Sequence, residues 1–185
     1  FRDLRVINED YIEPAQGFPE HGHRDMEIIT YMISGELSHR DSLGNCETIR
    51  PHEVQRMTAG TGVLHSESSS PTDKTHLLQI WILPEEQRLT PGYEQKLFSP
   101  EQKRGKLRLI ASRGGDGGSV HINQDVNLYA SILNNDDAVS LDLVEGRRPA
   151  GYVRASESSR SFDDPGEFIE LPLVNQIRPR VKAWR

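Results

Sequence analysis

From Leu4 to about Leu83 the chain runs as short β-prone stretches, interrupted by turn residues about every eight to twelve positions, the rhythm of an all-β sandwich or barrel. It predicts strands over residues 4–8, 27–33, 36–40, 46–50, 54–57, 64–67 and 76–83. Between them lie Ser34-Gly35, residues 41–45 and residues 59–62, rich in types that tolerate positive φ or bond their own backbone, and so predicted as hairpin turns. Residues 84–92 read as a linker. Ser99-Pro100 reads as a short helix start, with Ser at the N-cap and Pro at the first helical position. A weaker second set of strands is predicted over 107–111, 119–122, 128–133 and 139–144. Beyond Arg147 the rhythm fades into Ser, Arg and Pro, and residues 163–166 carry a turn signal without clear flanking strands.

At 185 residues the chain can bury one full core or two small barrels sharing an interface. With 35% hydrophobic residues and no apolar run long enough for a bilayer helix, it is expected to stand free of the membrane. The first residue is Phe1 and no signal-like segment follows it, so a secretion signal is expected to be absent or already removed. Cys46 is the single cysteine, which excludes an internal disulfide and points to a reducing, cytoplasmic setting. The net charge of −6 argues against direct nucleic-acid binding, which needs basic surface to displace counterions. The charge is uneven, since residues 147–185 hold eight Lys or Arg against five Asp or Glu; a solvated tail accounts for that.

The chemistry concentrates in two pairs. His21 and His23 are two apart in a segment leading into the 27–33 strand, and in an extended chain residues i and i+2 project from one face. His65 and Glu67 repeat that spacing just after the tight turn at 59–62. Facing each other across a barrel interior, the two pairs offer three imidazole nitrogens and one carboxylate oxygen to a divalent first-row metal. An octahedral ion would keep two positions open for substrate or dioxygen. Glu27 shares the odd numbering of these four, so alternation alone leaves it open as the carboxylate. The other histidines, among them His39, His52, His76 and His121, have no partner at ligand spacing and are expected at surface or turn positions. Trp81 is expected in the core, and Gln79 and Met57 as pocket residues.

The stretch Gly17-Phe-Pro-Glu-His21-Gly-His23-Arg-Asp-Met-Glu27-Ile-Ile-Thr-Tyr-Met-Ile-Ser-Gly35-Glu resembles the first cupin motif. Met57-Thr-Ala-Gly60-Thr-Gly62-Val-Leu-His65-Ser-Glu67 resembles the second, in the wording of the pirin branch. Bacterial pirin-like proteins with quercetin 2,3-dioxygenase activity are also similar over Leu4-Arg-Val-Ile-Asn-Glu9, His39-Arg-Asp-Ser-Leu-Gly44 and Gln79-Ile-Trp-Ile-Leu-Pro84. The likeness runs from Phe1 to about Leu143.

The resemblance implies an all-β cupin fold, a double-stranded β-helix or jelly-roll barrel in a bicupin arrangement with an incomplete or atypical second barrel. Residues 1–90 would form the metal-binding barrel, lacking the family's usual first segment. Residues 91–185 would form a cupin-like region without metal, irregular after about 147. It places the family's ligands on His21, His23, His65 and Glu67 and leaves Glu27 as a pocket carboxylate beside them. The implied cofactor is one divalent transition metal, Fe(II) first, with Zn, Ni, Cu, Mn or Co as alternatives. The implied activity is opening of a flavonol such as quercetin by dioxygen, with Glu67 as ligand and proton acceptor. The alternative is a non-catalytic redox sensor that docks onto a regulatory protein partner.

Overall fold

The computed structural model describes residues 3–134 and 137–142, together with the strand backbones of 152–155, 168–171 and 175–176. Among these residues the strands form three antiparallel-rich sheets. The first has the order β1-β8-β3-β6-β9, from β1 (Leu4–Ile12), β8 (Thr75–Ile82), β3 (Glu27–Ser34), β6 (Glu53–Thr58) and β9 (Gly92–Leu97). The second has the order β2-β7-β4-β5, from β2 (Gly17–His23), β7 (Val63–Ser69), β4 (Leu37–Asp41) and β5 (Cys46–Ile49). The third is built on β10 (Arg108–Ser112), β11 (Val120–His121) and β12 (Val126–Leu133), with β13 (Tyr152–Ala155), β14 (Phe168–Leu171) and β15 (Asn175–Gln176) extending from β12.

Burial shows why the five-stranded sheet is central. A strand covered on both faces reads as a continuous apolar run, whereas one covered on a single face alternates. Ile28, Ile29, Tyr31 and Met32 of β3 and Leu77, Leu78, Ile80 and Ile82 of β8 are all buried. By contrast β4 and β7 alternate strictly between buried and exposed or half-buried positions. Met32 and Leu77 pack toward Leu37 and Ile49 of the four-stranded sheet. Their strand neighbours Tyr31 and Leu78 pack with Ile110, Val120 and Leu128 of the third sheet. The architecture is thus a stack of three sheets with two apolar seams. Facing sheets of this kind form the cupin jelly roll, and here they are layered rather than hydrogen-bonded into one closed barrel.

The seven strands predicted before residue 84 are all present, with ends displaced by a few residues at most in six of them and β1 reaching on to Ile12. Two others were not predicted as strands: β2, which reads only as an extended lead-in, and β9, which begins at the end of the predicted linker. The helix forms at Pro100–Lys103 behind Ser99, whose backbone N–H donates to the Gln102 side chain at 2.9 Å. In the second set, 107–111, 119–122 and 128–133 correspond to β10, β11 and β12. Residues 139–142 lie in no strand, and 143–144 and the turn signal at 163–166 fall outside the described residues. Strands β13 to β15 occupy a stretch for which no strand is predicted. Among the described residues no helix is long and apolar enough to cross a membrane.

Candidate metal centre

The four-stranded sheet carries most of the site. On β7 the alternation sends Val63, His65, Glu67 and Ser69 inward and leaves Leu64 and Ser68 exposed. Its neighbour β2 contains one extra residue. Gly17 and Phe18 pair with Ser68 and Glu67, but His21, Gly22 and His23 pair with His65, Leu64 and Val63. In an unbroken ladder from Phe18, His21 would oppose Leu64 and turn outward with it. The bulge at Pro19-Glu20 resets the face, so both imidazoles project with His65. The Pro19 carbonyl lies 2.8 Å from His21 Nδ1, tying the bulge to the ring it aims. Gly17 permits the close approach of β2 to β7, since a Cβ there would run into the Glu67 backbone carbonyl.

Ring centroids stand 4.8 Å apart for His21 and His23, 4.4 Å for His21 and His65, and 5.0 Å for His23 and His65. One nitrogen from each of the three lies within 4.8 Å of the others. Glu67 joins a second, fully buried group with His39 and His65 at the same spacing. His65 therefore belongs to both groups, and Glu67 stands on the His39 side of it. His65 is 2% exposed, and among the described residues neither of its ring nitrogens has a hydrogen-bond partner. Burying such a group without a partner costs free energy, and a metal ion accepting its lone pair would remove that cost. The residues present fit a divalent transition metal.

His39 departs from its expected surface position. It is buried, directly opposite Glu67 in the β4–β7 register, with its Nδ1 3.9 Å from Glu67 Oε1. The signal in sequence was the alternation Leu37, His39, Asp41, which becomes informative only once β4 is known to lie beside β7. Trp81 packs against the apolar cluster of Ile28, Met57, Ala59 and Val63, as expected of a core residue, and in addition its half-buried ring meets that of His23 at 5.0 Å and its indole N–H donates to Gln79 Oε1 at 2.9 Å. Gln79 lines the site, donating its amide N–H to Glu67 Oε2 at 3.3 Å. Met57 packs with Ile28, Ala59 and Val63 as an apolar floor.

Glu27 is not beside the cluster. The turn after His23, with Asp25 at φ 50°, starts β3 on the opposite alternation, and Glu27 faces the third sheet. There it accepts hydrogen bonds from the Thr58 hydroxyl at 3.2 Å and the Asn123 backbone N–H at 3.1 Å. His52, His76 and His121 also stand apart from the cluster. His52 approaches Lys103, His76, buried within β8 rather than at the expected surface or turn position, stacks on Tyr11, and the His121 backbone N–H donates to Glu94.

Burial pushes the His65 imidazole down to about pH 4, against the Glu67 charge and with help from His21, His23 and His39. Burial also lowers His23, aided by His21 and opposed by Glu67. Both are held neutral, the form in which imidazole is a ligand. For His39, burial works downward but is outweighed by Glu67 and Asp41, so its pKa rises. Glu27 is raised by burial, against its hydrogen bonds to Asn123 and Thr58 and the nearby Arg56 charge.

Stacked jelly-roll sheets enclosing a histidine cluster at one end define a cupin. Residues 2–82 match the sequence profile of the pirin family, and residues 109–161 match that of the quercetinase C-terminal cupin domain. The quercetin 2,3-dioxygenase of Escherichia coli strain K12 is 44% identical over 169 residues, covering 85% of this chain and 72% of that protein. The crystal structure of YhhW from E. coli superposes with a TM-score of 0.78 at 35% identity, covering 96% of this chain and 82% of that one. Bacterial pirin YhhW from E. coli in complex with nickel(II) gives a TM-score of 0.77 at 36% identity, covering 96% and 83%. The chain belongs to the pirin family of cupins.

Proposed function

We propose that this pirin is a metal-dependent dioxygenase that opens flavonols such as quercetin, with His21, His23, His65 and Glu67 holding the metal. The observation that carries the reading is the buried His65 imidazole, both nitrogens unpartnered, at the junction of the two donor groups. The relatives named quercetin 2,3-dioxygenase support the substrate class. The nickel(II) complex of a bacterial pirin supports a divalent transition ion, and Fe(II) is the ion we favour, with Zn, Ni, Cu, Mn and Co as alternatives. We also read residues 1–90 as the metal-binding half and 91–185 as a second, metal-free cupin-like half, in a protein of the cytoplasm.

A divalent transition metal bound here supplies a Lewis acid that favours the deprotonated form of a phenolic hydroxyl. The chain's own residues do the rest. Glu67 takes up the hydroxyl proton on a carboxylate oxygen, with Gln79 donating to Oε2 and so orienting the group. Trp81 walls the His23 side of the site. The apolar floor of Ile28, Met57, Ala59 and Val63 keeps water from one face of the cluster and strengthens the charge interactions there.

The test is elemental analysis of the purified protein followed by oxygen uptake with quercetin on iron-loaded protein. Stoichiometric metal with flavonol-dependent oxygen consumption is expected. Metal without oxygen uptake overturns the dioxygenase reading and leaves a regulatory binding role of the pirin type.

A further inference from the structure

Behind Glu67 lies a chain of side chains that the ligand set does not use. His39 and Glu67 are opposite one another on β4 and β7, so their side chains emerge from the same face as close neighbours. His39 Nε2 lies 3.1 Å from Asp41 Oδ2. Asp41 is itself fixed by three further donors: the Leu43 backbone N–H at 2.9 Å, the Asn45 backbone N–H at 3.0 Å and the Asn45 side-chain amide at 2.8 Å. A carboxylate can only accept here, so Nε2 carries the hydrogen and donates it to Asp41, and the Nδ1 edge of the ring is turned toward Glu67. The Tyr93 ring backs His39 at a centroid distance of 5.0 Å, and the Gln55 amide nitrogen lies 3.4 Å from Nδ1. Glu67 is thus flanked on its Oε1 side by His39 and on its Oε2 side by Gln79, each held from behind.

We infer that His39 is a positioning residue for Glu67: Asp41 and Gln55 fix the imidazole from its two nitrogens, and the ring, 3.9 Å from Oε1 and making no hydrogen bond to it, fills the space into which the Glu67 carboxylate would otherwise rotate beside His65. The inference rests on the reading of Glu67 as a metal ligand. The terminal torsion of a glutamate is broad and nearly two-fold. A donor already held in its binding orientation loses less freedom when the ion arrives, which raises affinity without adding a contact to the ion.

Titration with Co(II), read by affinity and by the visible absorption bands of the bound ion, tests this in five proteins: wild type, His39→Ala, His39→Gln, Glu67→Ala and His39→Ala combined with Glu67→Ala. Glu67→Ala alone serves as the reference for the last, its three imidazoles remaining to take the ion. His39→Ala is expected to weaken Co(II) binding roughly 10–100-fold, the range for groups that orient a ligand, and to shift the absorption bands. His39→Gln, which refills part of that space, should recover part of both, and it carries the test if His39→Ala fails to fold by circular dichroism. With Glu67 already removed, losing His39 should change affinity by no more than about twofold, because the pathway through Glu67 is gone. An equal loss in that background, or unaltered affinity and spectrum in both single variants, overturns the inference. A wild-type protein that takes up no Co(II) overturns the metal-site reading itself, and this inference with it.

Discussion

His21 lies directly opposite His65 on neighbouring antiparallel strands, their ring centroids 4.4 Å apart, because β2 carries one more residue than its partner between Phe18 and His21. The pairing gathers three imidazoles with Glu67 nearby, and it makes distinct demands on Glu67, His65, Gly17 and the more distant Glu27.

Replacing Glu67 with Gln separates holding the ion from moving a proton. The amide keeps one oxygen donor but takes up no proton at neutral pH. Turnover of quercetin should fall by roughly 100-fold or more, the usual contribution of general acid–base catalysis, while metal content falls much less. Oxygen uptake set against elemental analysis of the same samples decides it; equal losses would reduce Glu67 to a ligand alone.

His65→Leu removes an unpartnered polar ring from the interior. The metal-free variant should gain about 1 kcal/mol or more in stability over metal-free wild type at pH 7, and should lose metal uptake. The gap should widen in acid. His65 titrates at about 4 in the folded protein and near 6.5 when unfolded, so between those values the unfolded chain binds the extra proton. Wild type therefore loses stability as pH falls from about 6.5 to 4, by up to about 3 kcal/mol relative to the variant. The raised pKa of His39 acts with the opposite sign, adding stability that is lost as pH rises through it, but it is present in both proteins. Urea midpoints of the pair across that pH range measure the difference.

Glu27 faces away from the cluster, so Glu27→Gln should leave metal stoichiometry unaltered. Glu27→Ala should leave metal affinity near wild type yet destabilise the fold by about 2–4 kcal/mol, since Thr58 and the Asn123 amides lose a buried acceptor. Chemical denaturation and metal analysis of both variants would show it, and loss of metal in Glu27→Gln would contradict it.

Gly17→Val should damage the site through the backbone. Its Cβ would meet the Glu67 carbonyl, forcing β2 away from β7. A loss of about 1–3 kcal/mol is expected, together with weaker metal binding, whereas Gly44→Ala, in open space at φ 97°, should cost stability through its backbone strain alone and spare the metal. Thermal melts and metal titration of the two variants distinguish them.

Much of the first half was legible because hydrophobic alternation follows the pleat: β3 through β8 fall close to the predicted runs, and the His65/Glu67 pair points inward as its spacing requires. What escaped was set by neighbours distant in sequence. His39 gains its role only from lying beside Glu67 across two strands, and Trp81 only from meeting His23. Glu27 carries the same odd number as the histidines, yet the turn at Asp25 reverses its face, so counting by twos fails across a loop. β2 itself was invisible as a strand because Gly, Pro and His fill it, and packing against β7 overrides their weak strand preference. Strand β9, Gly-Tyr-Glu-Gln-Lys-Leu, lacks an apolar rhythm because it closes the edge of its sheet.

The middle sheet serves two interiors at once, and along β8 consecutive residues are assigned to different ones: Gln79 and Trp81 to the histidine cluster, Leu78 and Ile80 to the seam with the third sheet. β8 therefore behaves like a reading frame. Inserting or deleting a single residue would swap the linings of both compartments, sending leucines to the histidines and an amide into the apolar seam. A one-residue change of length inside β8 would therefore have to be taken up at once by a bulge, as the extra residue of β2 is, or both compartments would lose their linings together.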